Sequence, residues 1–169
     1  CISAGVDQAL RVLRTSYIDI AHLHSCPRGV LEQGEVVDAL ARAKQQGKLR
    51  AIAYSGENED LRYALACGRF DGLMASLNPF EQRVADEVLP RMGGMGFVAK
   101  RPVANAPWRF PTQPHGAYCE AYWLRMRAMG WRRRGECRGG SSPCASRCPS
   151  RAWPAPSSAP AGWRTCGSC

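Results

Sequence analysis

Residues 35–55 read EVVDALARAKQQGKLRAIAYS, and this stretch decides the fold class. The spacing of its apolar residues predicts a helix over residues 35–46, whose inner face is formed by Val36, Leu40 and Ala43. Gly47 supplies the left-handed residue that often ends a helix. The apolar run from Leu49 to Ser55 follows at once and predicts a strand. A helix that leads through so short a turn into a strand is the repeating unit of α/β proteins.

The same alternation continues on both sides of this stretch. Further helices are predicted over residues 6–13, 58–66 and 82–92, with Asn58 as the N-cap of the second. Further strands are predicted over residues 17–24, 70–78 and 96–100. The first of these strands is an apolar, β-branched run, so we predict that it is covered on both faces.

Strands that alternate with helices at this rhythm are predicted to be parallel. The rhythm alone leaves open whether they close into a barrel or form an open, doubly wound sheet. An open sheet that binds a dinucleotide carries a glycine-rich phosphate turn after one of its strands. The run GGMG at residues 93–96 comes before a strand instead, so we interpret it as a helix-to-strand turn. This placement disfavours the open dinucleotide-binding sheet.

Length and composition restrict the class of protein. A chain of 169 residues fits one domain, whereas a complete eight-stranded barrel takes about 250 residues. The sequence begins at Cys1 rather than at a methionine, so we expect the start of the reading frame to be missing. It has no apolar run of the roughly 18 residues that span a bilayer, and no secretory signal pattern. We therefore expect no membrane partner and a cytoplasmic location.

The C-terminal segment differs in composition from the rest of the chain. Residues 131–169 contain seven Arg, no Lys and one Glu, which gives +6 of the total net charge of +9. Tryptophans are its only large apolar residues, so it cannot bury enough surface to offset chain entropy and is predicted to be disordered. We divide the chain into a barrel-like region (1–107), an intermediate region with a weaker helical pattern (108–130) and this tail.

The tail raises two further hypotheses, neither of which we favour. The pairs Cys144/Cys148 and Cys166/Cys169 have the spacing of zinc ligands, but the segment lacks the aliphatic residues that would build a zinc fold. No metal site is therefore predicted. The run Arg132–Arg134 is of the kind that contacts nucleic-acid phosphates, but such runs are usually solvated, and no nucleic-acid partner is expected.

Four motifs, in order, resemble the aldo-keto reductase family. They are LRTSYIDIAHLH at residues 13–24, QGKLRAIAYSG at 46–56, GRFD with SLNPF at 68–80, and GFVAKRPVANA at 96–106. Each piece alone is unspecific, but four in this order are typical of the family over residues 10–106. The resemblance implies an α/β fold, the (β/α)₈ TIM barrel, of which this chain holds about strands four to seven. It therefore implies an internal fragment.

The resemblance also implies site residues. His24 matches the histidine of the catalytic tetrad, which helps to orient the substrate carbonyl; the Asp, Tyr and Lys of that tetrad would precede Cys1. Ser55 matches the serine that hydrogen-bonds the nicotinamide carboxamide. Lys100 stands where the family has an aromatic residue that stacks on the nicotinamide, and with Arg101 it is a candidate contact to the cofactor pyrophosphate. Two solvated charges are the alternative interpretation.

Two other family positions lack their usual amide side chains. Gly56 stands where the family has an asparagine after the serine, and Met74 stands where it has a glutamine. Both departures are expected to weaken the family's nicotinamide contacts. His22, two residues before His24, is expected to face the same side of its strand, with its role open.

The activity implied by the resemblance is hydride transfer between NADP(H) and a small carbonyl or alcohol substrate. Because three tetrad residues would lie outside this chain, we expect the chain alone to be inactive. The alternative is a non-catalytic barrel remnant, truncated or altered by a frameshift before the tail, whose composition resembles GC-rich codons read out of frame. Four strands leave two unpaired sheet edges, so self-association is also expected.

Several charged residues are interpreted as scaffold. Asp19 lies within a predicted strand, and Lys48 and Arg50 lie at the start of the next, as expected for salt bridges between neighbouring elements. Glu57 and Glu59 are interpreted as solvated carboxylates at a helix start, where the helix dipole favours negative charge.

Overall fold

The computed structural model describes residues 2–131. The tail from residue 132 onward, with its predicted disorder and its cysteine and arginine motifs, lies outside the described residues. Within the described range the chain forms six α-helices: α1 (Ile2–Leu13), α2 (Arg28–Gln33), α3 (Glu35–Gln45), α4 (Asn58–Ala66), α5 (Arg83–Glu87) and α6 (Glu120–Ala128). It also forms four strands: β1 (Ile18–His24), β2 (Leu49–Ser55), β3 (Gly72–Ser76) and β4 (Gly96–Lys100).

The four strands form one parallel sheet in the order β1-β2-β3-β4, the order in which they follow along the chain. Each strand is joined to the next through helix, as parallel pairing requires. The predicted α/β class is therefore confirmed, and consecutive parallel strands are the arrangement of a partial (β/α)₈ barrel. None of the helices in the described part of the chain is long and apolar enough to cross a membrane.

The main core lies between one face of the sheet and the helices. The sheet contributes Ile52, Tyr54, Leu73 and Ala75, and α3 and α4 contribute Val37, Leu40, Ala43, Leu61 and Ala64. The predicted inner face of α3 is correct at Leu40 and Ala43 but wrong at Val36. Val37, and not Val36, is buried (2% exposed), because the helix face that meets the sheet carries residues 37, 40 and 43. Val36 is only partly buried and lines a surface groove with Ile2.

The prediction that β1 is covered on both faces is wrong for the described residues. Ile20 on β1 is 48% exposed and Val98 on β4 is 42% exposed. Both lie on the face of the sheet opposite the helices, which in a complete barrel faces the interior. A parallel sheet normally has both faces buried, so this face, which we call the bare face, is incompletely covered at β1 and β4.

Three other predictions differ from the structure for local reasons. The helix predicted over residues 82–92 stops at Glu87 and continues as a 3₁₀ turn, Leu89–Arg91, which contains Pro90. Asn58 is not the N-cap of α4: it is the first helical residue, and Glu57 precedes it as the cap. Helix α2 was not predicted, since its six residues are too few to show a helical period.

Asp71 connects three strands and one helix. Its backbone N–H donates to the Ile52 carbonyl (2.8 Å), and its carboxylate accepts the Ile52 N–H (2.8 Å). Its own carbonyl accepts the N–H of Gly96 at the start of β4 (3.0 Å), and Lys44 of α3 donates to both carboxylate oxygens (2.6 and 2.7 Å). Burial favours the neutral acid, but the bonds from Lys44 and Ile52 outweigh it and lower the pKa of Asp71.

We expect Asp71→Ala to lower the free energy of unfolding by about 1–3 kcal/mol, because the Ile52 N–H loses its acceptor inside the sheet. Asp71→Asn should cost less, since its amide oxygen still accepts that bond.

The pKa of the Asp71 carboxylate is lower in the folded than in the unfolded chain. Its contribution to stability is therefore present above the unfolded pKa, near 3.8, and is lost as the pH falls through the folded pKa. Urea unfolding of both variants measures this, with Asp19→Asn as a surface control; an Asp71→Ala cost no larger than the control's would contradict it.

Self-association stays a prediction, and the bare face is where it is expected. Ile20→Asp places a charge on that face and should shift the chain toward monomer in sedimentation velocity, because burying an unpaired carboxylate is unfavourable. Val12→Asp, on the exposed side of α1 (67% exposed), is the control and should leave the distribution unchanged. A chain that is monomeric at every concentration before any substitution would contradict the prediction.

Candidate active site

The carboxyl ends of the strands bring the predicted site residues to one edge of the sheet. His24 ends β1 and pairs in register with Ser55, which ends β2. Ser55 in turn pairs with Met74 of β3, and Ser76 at the end of β3 pairs with Lys100 at the end of β4. In a parallel barrel this edge carries the active site. His24 is exposed there, and Ser55 is buried (3% exposed).

Two hydrogen bonds from the end of β2 fix the chain that follows His24. The Ser55 carbonyl accepts the N–H of Ser25 (2.7 Å), and the Tyr54 hydroxyl donates to the carbonyl of Cys26 (2.9 Å). Tyr54 is fully buried, and burial, with smaller contributions from nearby acidic groups, raises its pKa to about 12. The phenol therefore stays protonated and remains a donor over the physiological range.

The missing amide at position 56 has a steric cause. A Cβ added to Gly56 would lie 2.5 Å from the Cε1 atom and from the hydroxyl oxygen of Tyr54, closer than van der Waals contact allows. Because Tyr54 is fully buried and held by its bond to Cys26, the ring has no free space to move into. Tyr54 therefore excludes any side chain at position 56, including the asparagine that the family resemblance implies.

His22 lies on the bare face of β1, in a depression lined mostly by apolar residues such as Ile20, Ala53 and Val98, with Asp71 also part of its lining. Burial lowers the pKa of His22, so the neutral imidazole is favoured. Its Nδ1 is buried and has no hydrogen-bond partner among residues 2–131. An unpaired buried nitrogen is unfavourable, which is a second sign that the bare face is incompletely packed.

Lys100 and Arg101 are not free charges at the strand end. The Glu57 carboxylate lies 3.1 Å from Lys100 Nζ and 3.4 Å from Arg101 Nη1. It also accepts the hydroxyl of Ser76 (2.6 Å), which is fully buried. The interpretation of Glu57 as a solvated carboxylate is therefore wrong, because its side chain joins β3 and β4. Glu59 is exposed and pairs only with Arg62 of its own helix among the described ion pairs.

The remaining polar candidates have structural contacts. Arg50 pairs with Asp19 (2.9 Å) across β1 and β2, and Lys48 pairs with Asp7 (2.7 Å), as expected for scaffold salt bridges. Asn78 accepts the N–H of Phe80 (3.0 Å) and so closes a turn. Within residues 2–131, His, Cys, Asp and Glu side chains form no group of three that could hold a metal ion.

Comparison with known proteins assigns the family. The model of the aldo/keto reductase family matches residues 1–109. The chain belongs to the aldo/keto reductase family. Among curated relatives, L-galactose dehydrogenase of Arabidopsis thaliana is 37% identical over 57 residues, which cover 32% of this chain and 18% of that protein. The region that the family model matches includes all four strands. The bare face of the sheet therefore corresponds to the inner side of the family's barrel.

Solved structures of aldo/keto reductases share this fold. The holo form of an aldo-keto reductase from Bacillus halodurans is 26% identical, with a TM-score of 0.58, over 73% of this chain and 46% of that one. A glycerol dehydrogenase from Gluconobacter oxydans is 21% identical, with a TM-score of 0.60, over 76% of this chain and 44% of that one, and shows the fold alone. The chain thus spans less than half the length of these relatives.

The contact between Tyr54 and Gly56 predicts a coupled pair. Gly56→Ala should lower the free energy of unfolding by about 1–3 kcal/mol through overpacking. The same substitution should cost less in a Tyr54→Leu background, since the outer ring atoms are gone, so a double-mutant cycle measures the coupling. Gly5→Ala is the control: nothing lies within 4 Å of its added Cβ, and an alanine within helix α1 should be neutral or stabilising. Equal costs of Gly56→Ala in both backgrounds would rule out the steric explanation.

Proposed function

We propose that this chain carries part of the active site of an NADP(H)-dependent oxidoreductase that transfers a hydride between the cofactor and a small carbonyl or alcohol substrate. The observation that carries the proposal is the register pair of His24 and Ser55. Both residues end strands in a segment that matches the aldo/keto reductase family. They lie at the edge of the sheet where such barrels carry their chemistry.

The two residues have different proposed tasks. The exposed imidazole of His24 donates a hydrogen bond to the substrate carbonyl oxygen and orients it. The Ser55 hydroxyl binds the carboxamide of the nicotinamide. The bonds from Ser55 and Tyr54 to the chain after His24 keep the imidazole in place, since they fix the backbone on its carboxyl side.

The residues present fit the phosphate end of the cofactor better than the nicotinamide end. Lys100 and Arg101 are cationic and partly exposed, with side chains 20% and 35% exposed, as contacts to a pyrophosphate require. Gly56 and Met74 offer no amide, which leaves Ser55 as the proposed nicotinamide contact on this part of the barrel. When bound, the nicotinamide supplies or accepts the hydride.

The choice of NADP rests on the family. An aldo/keto reductase from Klebsiella pneumoniae has been solved in complex with NADP and acetate. It is 18% identical to this chain, with a TM-score of 0.53, over 76% of this chain and 46% of that one, so that likeness by itself supports the fold alone. We extend NADP use and a cytoplasmic location to this chain as proposals.

The 169-residue chain by itself is proposed to be inactive, because the family's Asp, Tyr and Lys are implied to lie on strands before β1. Without the Tyr, the carbonyl oxygen has no general acid. A non-catalytic barrel remnant is the second candidate, and the lack of an amide side chain at position 56 together with the unpaired His22 nitrogen favours it.

Titration of the purified chain with NADPH, followed by amide NMR, tests the proposal. We expect NADPH to change the amide chemical shifts of Ser55 and Arg101, and we expect the change at position 55 to be lost in Ser55→Ala. We expect no aldehyde-dependent oxidation of NADPH. The measurement uses Ser3→Ala as a control, since Ser3 is exposed on α1, away from the strand ends.

The possible outcomes separate the candidates. Shifts at neither residue at any NADPH concentration would favour the non-catalytic remnant. Aldehyde-dependent turnover that is lost in His24→Gln would overturn the proposed inactivity and leave the proposed role of His24 intact.

A further inference from the structure

Four donors converge on a single oxygen atom of Glu57. Its Oε1 accepts the Ser76 hydroxyl (2.6 Å) and the Ser76 N–H (3.2 Å). The same atom lies 3.1 Å from Lys100 Nζ and 3.4 Å from Arg101 Nη1. Arg101 also donates to the Ser76 hydroxyl (2.7 Å), which orients that hydroxyl toward the carboxylate. We call these four residues the Glu57 cluster.

The Glu57 cluster is built from separate elements and is partly open to solvent. Ser76 and Lys100 end β3 and β4, Arg101 follows β4, and Glu57 precedes α4. Ser76 is fully buried, whereas the Glu57 side chain is 31% exposed and that of Arg101 35%. A small anion therefore has access to the cationic groups, while the backbone N–H and the hydroxyl form the floor of the cluster.

The cluster has more positive than negative charge. One carboxylate faces an ammonium and a guanidinium, so the ion pairs leave a surplus of one positive charge. A backbone N–H, a hydroxyl, an ammonium and a guanidinium are also the donors that bind phosphate oxygens in proteins. The carboxylate of Glu57 therefore occupies, from within the chain, a position suited to a phosphate oxygen.

We propose that the Glu57 cluster binds one phosphate of a diphosphate ligand, and that Glu57 is an internal competitor which the phosphate displaces. The identification of that ligand with the cofactor rests on the function proposed above; the phosphate site itself does not. Displacement leaves Ser76, Lys100 and Arg101 as donors to the phosphate, and the Glu57 side chain moves toward solvent.

Isothermal titration of the 169-residue chain with inorganic pyrophosphate tests the proposal. Glu57→Gln removes the competing charge but keeps an oxygen that can accept the Ser76 hydroxyl, so the affinity should rise about two- to fivefold, as for a partly exposed ion pair. Arg101→Gln should weaken binding. Glu59→Gln is the matched control: it changes the net charge equally, from an exposed residue at the start of the same helix, and should leave the affinity unchanged.

Unchanged or weaker pyrophosphate binding by Glu57→Gln would overturn the proposal and leave Glu57 as a scaffold carboxylate. Equal tightening by Glu59→Gln would also overturn it, because the effect would then be general charge. If Glu57→Gln does not fold, the carboxyl ¹³C signal of Glu57 in the unsubstituted chain replaces it: the signal must shift on addition of pyrophosphate, and a constant signal counts against displacement. Tighter pyrophosphate binding without any NADPH-dependent shift would support the phosphate site while the proposed cofactor use fails.

Discussion

One residue, Asp71, links β2, β3, β4 and helix α3. The backbone N–H of Asp71 donates to the Ile52 carbonyl, and the Asp71 carboxylate accepts the Ile52 N–H. These two bonds extend the hydrogen-bond ladder between β2 and β3 beyond their three register pairs. The Asp71 carbonyl accepts the N–H of Gly96, the first residue of β4, and its carboxylate binds Lys44 and so attaches α3. These bonds set how far β2, β3 and β4 are shifted along one another. That shift brings Ser55 and Lys100, at the ends of β2 and β4, to the same edge of the sheet.

The sequence predicts best where local and tertiary forces agree. The bounds of β2, α4 and β4 were predicted correctly, since each is a periodic or apolar run closed by glycine or polar residues. Predictions failed where another part of the chain decides the outcome. Among the described residues nothing covers the bare face of β1, which the apolar run could not reveal, and the buried face of α3 depends on how the helix meets the sheet.

The candidate site divides in the same way. His24 and Ser55 could be named as candidates from the sequence because each lies at the end of a strand motif that resembles the family's. The Glu57 cluster was not, because Glu57, Ser76 and Arg101 are 19 and 25 residues apart and meet only when β3 and β4 are in place. Its one sequence signal is the adjacent pair of cations at the end of β4. The edge of the sheet thus has a charged part near β4 and a largely uncharged part near β1, where burial keeps His22 neutral and Tyr54 protonated.

The contact between Tyr54 and position 56 has an evolutionary consequence. While the buried phenol is present, gaining an amide at position 56 overpacks the site and lowers the stability of the protein. Losing the phenol first would release the Cys26 carbonyl and leave a cavity beneath the strand end. Either order of substitution passes through a less stable protein, so we expect the two positions to be energetically coupled.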